Sequence, residues 1–225
     1  PVAYQSISAE DIKDHNQGQD LPYLLRFTPS LVVNSDAGAG IGYTGMRIRG
    51  ADITRINVTL NGIPVNDAES HGVFWVNMPD LASSISDVQI QRGVGTSTNG
   101  SGAFGASIHL NTNVNSEKAY VSSHQSFGSF NSWKRNLKLG TGNMGNGFSF
   151  DARLSKISSD GYIDRAKADL NSFSLFGTWK QKNSVMRFSI IDGSERTYQA
   201  WNGVPLSLEA DWNTRTFNSA GAERQ

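Results

Sequence analysis

Two neighbouring segments decide the fold of the N-terminal half: Met46-Arg47-Ile48-Arg49-Gly50 and Val58-Thr59-Leu60-Asn61-Gly62-Ile63-Pro64-Val65. In the first, apolar Met46 and Ile48 alternate with arginines. Side chains of a strand point to opposite faces in turn, so this pattern predicts a strand with both guanidiniums on one face. Gly50 is predicted to end that strand at a turn.

The second segment predicts a β-hairpin. Asn61-Gly62 between two apolar runs is the strongest short-range signal for a two-residue hairpin turn. The arginines of the preceding strand repel each other, so we expect acidic groups outside that strand to hold them. Asp52 and Asp87 of the same half are candidates, and so are carboxylates elsewhere in the protein.

The composition suggests two units of opposite charge. The 225 residues contain 20 Lys and Arg and 20 Asp and Glu. Residues 1–116 hold six of the basic and ten of the acidic side chains, and residues 117–225 hold fourteen and ten. The chain has no cysteine, which excludes disulfides and thiolate metal sites. It also lacks a run of 18 apolar residues, so no membrane helix is predicted.

The first half is predicted to be a small α+β domain. Ser8 is expected to cap a helix that stops near Gly18, and a second helix is expected from Asp20 to Thr28-Pro29. Short strands are predicted at 31–33, 86–92 and 106–110, with a turn at Arg92-Gly93. The apolar run at 73–76 is expected to pack inward, and Pro79 to start a short helix that ends near Ser83.

Three polar loops separate these elements, at 34–44, 66–72 and 95–105. The glycines at 38–42 lack the lysine and spacing of a phosphate-binding loop. Residues 66–72 hold two carboxylates and an imidazole, which suits either a ligand-contact loop or, more simply, a solvated turn. A metal site there would lack a fixed geometry. No nucleophile, acid-base pair or metal motif points to an enzyme.

Five motifs in the first half resemble the plug domain of TonB-dependent outer-membrane receptors. They occur in the family's order and spacing and cover almost all of residues 1–113. The stretch at 72–79 also resembles a subgroup common in Bacteroidota-type bacteria. The motifs are Leu24-Leu25-x-x-x-Pro29-x-Leu31-Val32-Val33, Ile48-Arg49-Gly50, Leu60-Asn61-Gly62-Ile63-Pro64-Val65-Asn66-Asp67, Val88-Gln89-Ile90-Gln91-Arg92-Gly93 and Gly100-x-Gly102-Ala103-Phe104-Gly105-Ala106-x-Ile108-x-Leu110-x-Thr112.

The sequence departs from the family pattern at three places. Asn61-Gly62 replaces the usual Asp-Gly of the hairpin, with the same turn chemistry. Asn99-Gly100 replaces the usual Tyr-Gly. Residues 84–87 read Ser-Ile-Ser-Asp where the family has Glu-Arg-Ile-Glu, so partners of some family salt bridges are missing.

The resemblance implies a receptor of the outer membrane, with its plug accessible from the periplasm. Such a receptor binds a scarce solute, for example a ferric siderophore, haem, cobalamin or a glycan, and takes it up with energy delivered by TonB, ExbB and ExbD. The segment that TonB grips would precede Pro1. Outer-membrane lipid surrounds the receptor and a surface lipoprotein can cap it. No cofactor, catalytic residue, metal or nucleic acid is implied.

The resemblance also implies roles for individual residues. Arg47, Arg49 and Arg92 would form a latch that pairs with glutamates of the barrel wall. Gly50, Asn61, Gly62, Gly93 and Gly100 would form structural turns. The candidates for ligand contact lie in loops: Asp36, Tyr43, Asn66, Asp67, Glu69, His71, Thr96, Asn99, Tyr198 and Trp201.

The second half alternates as transmembrane β-strands do. Four segments of about ten residues place apolar groups on one face and polar groups on the other, which is typical of outer-membrane strands. Tyr120 to Gly128 alternates poorly and is placed as the first strand by its order alone. A soluble antiparallel sheet with one wet face is the simpler alternative. The expected lipid-facing residues are Trp133, Leu137, Leu139, Phe148, Phe150, Ala152, Leu154, Phe173, Leu175, Gly177, Trp179, Met186, Phe188 and Ile190.

The resemblance implies a plug domain at 1–115, and with the alternation it predicts about five strands of an incomplete barrel at 116–225. Five strands cannot close a barrel, so we expect the chain to be part of a longer receptor. A soluble α+β binding module without transport is the main alternative. An enzyme would need distant residues such as His71 and His109 to meet. Nucleic-acid binding is disfavoured because the first half is acidic.

Overall fold

The computed structural model describes residues 3–94, 103–112, 117–198 and 200–220. The N-terminal domain contains seven strands and two short α-helices within these ranges. It also contains three 3-10 helices, at Ile53–Arg55, Trp75–Asn77 and Leu81–Ser84. The other elements are β1 (Ala3–Ser8), α1 (Ala9–His15), α2 (Leu21–Leu24), β2 (Leu31–Ser35), β3 (Thr44–Ile48), β4 (Ile56–Leu60), β5 (Ile63–Pro64), β6 (Ile85–Arg92) and β7 (Ala106–Thr112).

Five of these strands form one mixed sheet in the order β1-β6-β7-β4-β5, and β2 and β3 form a separate hairpin. Only the β4–β7 pairing within this sheet is parallel. The core lies on the sheet, where Val58, Val88, Ile90, Ile108 and Leu110 are completely buried. The predicted α+β domain with a small mixed sheet is confirmed.

The helix starts were predicted better than the ends. Ser8 caps α1 in a reciprocal pair with Asp11, because each side chain bonds the other residue's backbone N–H. The second helix already ends at Leu24, four residues before the predicted stop. β1 was not predicted from the sequence, because Ile7 is the one large apolar residue among its inward positions Ala3, Gln5 and Ile7. It pairs antiparallel with β6.

The two deciding segments differ in outcome. Asn61 and Gly62 have φ of 52° and 83° between β4 and β5, which is the predicted hairpin turn. The prediction that Arg47 and Arg49 share one strand face is wrong. β3 ends at Ile48, and Arg49 turns with φ of 52°, followed by Gly50 at 78°. Two successive left-handed residues redirect the chain and take Arg49 off the strand.

The C-terminal half forms a second sheet of five consecutive antiparallel strands, as predicted. The connections at 141–147 and 182–183 lie at one end of the sheet, and those at 129–131 and 160–167 lie at the other. A four-residue helix, α3 (Leu206–Glu209), follows the last strand. The strands are β8 (Tyr120–Gly128), β9 (Ser132–Gly140), β10 (Phe148–Ser159), β11 (Ala168–Gln181) and β12 (Ser184–Thr197).

The two faces of this sheet have opposite character. On β10, Asp151, Arg153 and Ser155 are buried, and Phe148 and Leu154 on the other face are exposed. The buried polar face is the one that packs against the N-terminal domain. In the described part of the chain, no helix is long and apolar enough to span a membrane.

Candidate functional site

The contact between the two sheets centres on Asp80. This residue follows Pro79 and comes just before the 3-10 helix Leu81–Ser84, with φ of 53°. Asp tolerates this left-handed conformation better than most residues, which lets the chain turn and present the carboxylate to β9 and β10. The side chain of Asp80 is almost fully buried.

Five side chains donate to the Asp80 carboxylate. Four of them come from β9 and β10, and the fifth comes from the adjacent 3-10 helix. Two of the donors are cations that are themselves buried. The donors are Lys134 Nζ at 2.7 Å, Asn136 Nδ2 at 2.7 Å, Arg153 Nη1 at 3.3 Å, Ser155 Oγ at 2.6 Å and Ser83 Oγ at 2.6 Å.

The two cations also bind other groups of the N-terminal domain. Lys134 Nζ donates to Asn16 Oδ1 at 2.8 Å, just after α1, and to Ser83 Oγ at 2.9 Å. Arg153 Nε donates to Ser84 Oγ at 2.7 Å. Two buried cations of the C-terminal sheet therefore bind both the end of α1 and the 3-10 helix Leu81–Ser84.

The charges at this site favour an ionised Asp80. Burial by itself raises the pKa of the carboxyl, but the attraction of Lys134 and Arg153 outweighs it and lowers the pKa to about 2. Two cations face this one carboxylate. A third, Lys138, is half-buried on the same face of β9 and lines a cavity of about 360 Å³ together with Arg153.

The three predicted latch arginines lie elsewhere. Arg49 Nη1 donates to the backbone oxygen of Arg92 at 3.3 Å, and Arg92 Nη1 donates to that of Pro29 at 3.1 Å. Arg47 is exposed on β3. Within the ranges that the structure describes, none of the three forms an ion pair.

The two carboxylates proposed as partners for these arginines have other contacts. Asp87 accepts from Asn111 Nδ2 at 2.9 Å. Asp52 accepts from the backbone N–H and hydroxyl of Thr54, which lowers its pKa, with smaller contributions from Arg55 and Arg47.

Two groups of predicted ligand-contact residues meet at the end of the sheet where β10 leads to β11. The ring of Tyr43 meets the ring of Trp201 edge-on at 6.0 Å. Asp36 and Trp201 line a cavity of about 640 Å³. Burial raises the pKa of Asp36. Tyr198 is exposed nearby in sequence, at the start of the same loop as Trp201.

Several residues that line this cavity carry no motif in the sequence. They come from the loop between β10 and β11 and from the last part of the chain. In that last part, the guanidinium carbon of Arg215 lies 3.0 Å from the ring centre of Trp212. These lining residues include Tyr162, Ile163, Glu209, Arg215 and Asn218.

The loop at 66–72 lies outside this cavity and is held by its own hydrogen bonds. Asn66 bonds the backbone of Val58, Ile56 and His71. The Asp67 carboxylate accepts hydrogen bonds from the backbone N–H and the hydroxyl of Ser70, and these bonds lower the pKa of Asp67. Glu69 and His71 are exposed. Their predicted ligand contacts stay predictions.

Other predicted residues have structural roles or lie outside the described ranges. Gly93 has φ of 96°, so its turn needs glycine. His109 bonds Thr59 Oγ1 at 2.8 Å. No group of three or more His, Asp or Glu among the described residues suits a metal ion. Thr96, Asn99 and Gly100 lie outside the described residues.

Comparison with known families identifies the N-terminal domain. The model of the TonB-dependent receptor plug domain matches residues 1–107. Residues 1–107 are a TonB-dependent receptor plug domain. This match agrees with the resemblance that the five motifs carry. A comparison with curated proteins finds no significant match.

The fold of the chain is also that of solved receptors. The siderophore receptor PirA from Acinetobacter baumannii is 15% identical, with a TM-score of 0.70 over 94% of this chain and 34% of its own. The ferric yersiniabactin receptor FyuA from Yersinia pestis is 15% identical, with a TM-score of 0.71 over 90% and 34%. The copper transporter OprC is 14% identical, with a TM-score of 0.72 over 87% and 32%.

These comparisons confirm that β8–β12 match the first strands of the barrel that follows the plug in such receptors. The chain spans about a third of the length of these structures. The Asp80 cluster, which we define as Asp80, Lys134, Asn136, Arg153 and Ser155, is thus a contact between plug and barrel. No local sequence pattern marks this cluster; its trace in the sequence is the opposite net charge of the two halves.

Proposed function

We propose that this chain is the first part of a TonB-dependent receptor that takes up a scarce solute across the outer membrane. One observation carries the proposal: the plug packs against the polar face of β9 and β10 through the buried Asp80 cluster, and the opposite face of these strands is mainly apolar, with Leu137, Leu139, Phe148 and Leu154 exposed. This arrangement suits a plug inside a lipid-embedded barrel. Further strands would pair with the free edges of β8 and β12 and close the barrel.

In this proposal the solute binds outside, and binding makes the plug available to TonB. The short connections 141–147 and 182–183 lie on the periplasmic side, and the loop at 160–167 and the segment from Tyr198 onward lie outside. The domain boundary falls between β7 and β8, near residue 115. TonB, acting with ExbB and ExbD, pulls on a segment before Pro1 and moves part of the plug.

The cavity between the plug loop and the outer segment is the proposed solute site. Asp36 of the plug and Trp201 of the segment after β12 line this cavity, and the ring of Tyr43 contacts Trp201. Trp201 is 58% exposed and so is available to a solute. We expect Trp201→Ala to weaken solute binding by about tenfold, because exposed aromatic anchors often dominate binding. Leu206→Ala, also exposed but outside the cavity lining, is the matched control.

The chemical class of the solute is a finer proposal. Siderophore receptors and a copper transporter share the fold, so ferric chelates and metal ions are candidates, beside haem, cobalamin and glycans. Expression that rises under iron limitation would favour a chelate. A neighbouring gene for a surface lipoprotein would favour a glycan.

The function can be tested with the full-length receptor in cells. We expect uptake of a labelled solute, chosen by a binding screen, to stop when either the receptor or TonB is deleted. Uptake that continues without TonB would overturn the mechanism. Recovery of the receptor in the aqueous rather than the detergent phase would favour the alternative, a soluble binding module.

The latch also remains a proposal. Arg47, Arg49 and Arg92 would pair with glutamates of the barrel beyond residue 225. Charge reversal by Arg49→Glu is then expected to loosen the plug and let small solutes leak through the full-length barrel. Unchanged permeability would count against the latch.

A further inference from the structure

The donors around Asp80 would remain if the plug moved away. Lys134, Asn136, Arg153 and Ser155 all belong to β9 and β10, and only Ser83 moves with the plug. The barrel wall alone thus presents two cations, an amide and a hydroxyl within bonding distance of one carboxylate. Charged donors around an oxyanion make the strongest hydrogen bonds available in proteins.

Asp80 does not fully neutralise this part of the wall. Two buried cations face one carboxylate, and Arg153 Nη2 is buried with no hydrogen-bond partner among the described residues. Arg153 also lines the 360 Å³ cavity with Lys138 and Ser174. A guanidinium nitrogen left unpaired in the interior has unused capacity to bind an anion.

β10 also carries a carboxylate, Asp151, on the same face as Arg153, but Asp151 binds a different partner. Asp151 lies two residues before Arg153 and accepts a hydrogen bond from the Tyr120 hydroxyl at 2.5 Å. It forms no ion pair with Lys134, Lys138 or Arg153 in the described part of the chain. The wall therefore keeps an excess of positive charge next to Asp80.

We propose that Lys134, Asn136, Arg153 and Ser155 form an oxyanion-binding site on the barrel wall, which Asp80 occupies while the plug is seated. When the plug moves, the site faces the lumen and binds a carboxylate or similar oxyanion of the passing solute. The existence of the site rests on the geometry alone, and its role in passage rests on the proposed function.

The test replaces Asp80 with an anion from solution. Asp80→Gly in the purified full-length receptor keeps a residue suited to φ of 53° and leaves space for formate. We expect plug cleavage by a protease to become at least about a hundredfold faster, because two buried cations lose their partner. Formate at about 0.2 M should reverse at least half of that increase, and chloride at the same ionic strength should not.

Two further variants show whether the anion binds at this site. Asp80→Asn is expected to loosen the plug without rescue by formate, because the amide fills the space. Adding Lys134→Met and Arg153→Met to Asp80→Gly should abolish the rescue. Asp169→Asn, on an exposed pair with Lys156, is the matched control and should change neither cleavage nor its response to formate.

The outcomes separate this proposal from the proposed function. Unchanged cleavage of Asp80→Gly, equal rescue by chloride, or rescue that survives loss of both cations would overturn the site. If Asp80→Gly does not assemble, Asp80→Asn is compared with Asp80→Asn/Lys134→Met. Slower cleavage of the double variant would then support the site, and equal or faster cleavage would overturn it. Since the readout is cleavage, a receptor that fails to transport leaves these results valid.

Discussion

Two groups of charged residues on the plug differ in the way they are held. Arg47, Arg49 and Arg92 lie near the surface, and two of them bond backbone oxygens within the plug. Asp80 is buried against the barrel and receives two cations and three neutral donors. A charge at the surface keeps much of its hydration, whereas a buried charge depends on its partners. Loss of Asp80, which lies outside the five family motifs, is therefore expected to lower the stability of the plug more than loss of any of the three arginines.

The largest expected effect comes from Asp80→Asn. The amide keeps the shape of the side chain but leaves Lys134 and Arg153 buried without a counter-charge. We expect the plug of the full-length receptor to lose about 3–5 kcal/mol of stability, measured by denaturant-induced release of the plug. A loss below about 1 kcal/mol would show that the contact between the two sheets depends on other groups.

The same contact predicts a dependence on acid. The folded pKa of Asp80 is about 2, below its ordinary value of 3.8, so its stabilisation is complete above the ordinary value. It is lost as the pH falls from 3.8 towards 2, where the folded carboxylate takes up its proton. Protease protection of the plug measured across this range should decline in the wild type, and the part due to Asp80 should be missing in Asp80→Asn.

A second buried carboxylate, Asp20, provides a contrast within the plug. It accepts from Thr44 Oγ1 at 2.8 Å and has no ion pair among the described residues. Burial raises its pKa to about 8, against the hydrogen bond from Thr44 and with smaller contributions from Glu195 and Asp80. The folded plug thus retains a proton that the unfolded chain releases above its ordinary pKa of 3.8.

The stability that Asp20 contributes therefore depends on pH in the opposite sense to that of Asp80. Stability contributed by protonated Asp20 falls as the pH rises from 3.8 to about 8. We expect Asp20→Asn to be nearly neutral near pH 4 and to stabilise the plug by several kcal/mol near pH 8. Thermal unfolding of both proteins over that range measures the difference. A difference that does not grow with pH would contradict the raised pKa.

Smaller effects are expected from the arginines. Arg49→Ala and Arg92→Ala each remove one described bond to a backbone oxygen, worth about 1 kcal/mol. Denaturant unfolding of each variant, with Arg47→Ala beside them, tests this value. Losses as large as that of Asp80→Asn would indicate ion pairs with residues beyond this chain, and would support the latch.

The smallest effect is expected from the pair Lys156 and Asp169. Its atoms are 3.6 Å apart and both side chains are more than a third exposed. Pairs of this kind contribute about 0–1 kcal/mol, so Lys156→Ala should leave the unfolding of the receptor nearly unchanged. A double-mutant cycle with Asp169→Ala gives the coupling energy directly, and a value above about 1 kcal/mol would be unexpected.

Much of the architecture was readable from local patterns. The Asn61-Gly62 turn, the strand with Val88 and Ile90, and the alternation at Phe148 to Leu154 each reflect a preference of a few adjacent residues. β1 was not predicted because only one of its inward residues, Ile7, is large and apolar, and because its pairing partner β6 lies about 80 residues away. Local patterns do not reveal such long-range pairing.

The candidate sites were only partly readable. Tyr43 and Trp201 were predicted as separate loop residues, and folding brings their rings together. The prediction that Arg49 lies on the strand failed because the alternation of Arg47 and Arg49 with apolar residues is typical of a strand. The turn at Arg49 is visible only in its backbone angle φ in the folded chain. Thr96, Asn99 and Gly100 lie outside the described residues, so their predicted roles stay predictions.

The sequence by itself determined that a mixed-sheet plug precedes strands with one apolar and one polar face. Turn chemistry and the period of two in strands act over a few residues, so they can be read along the chain. Only the tertiary structure decided that Asp80 binds Lys134 and Arg153, which lie 54 and 73 residues further along. That pairing depends on how two separately predictable sheets pack, because the cost of burying a charge is set by groups that only folding brings near.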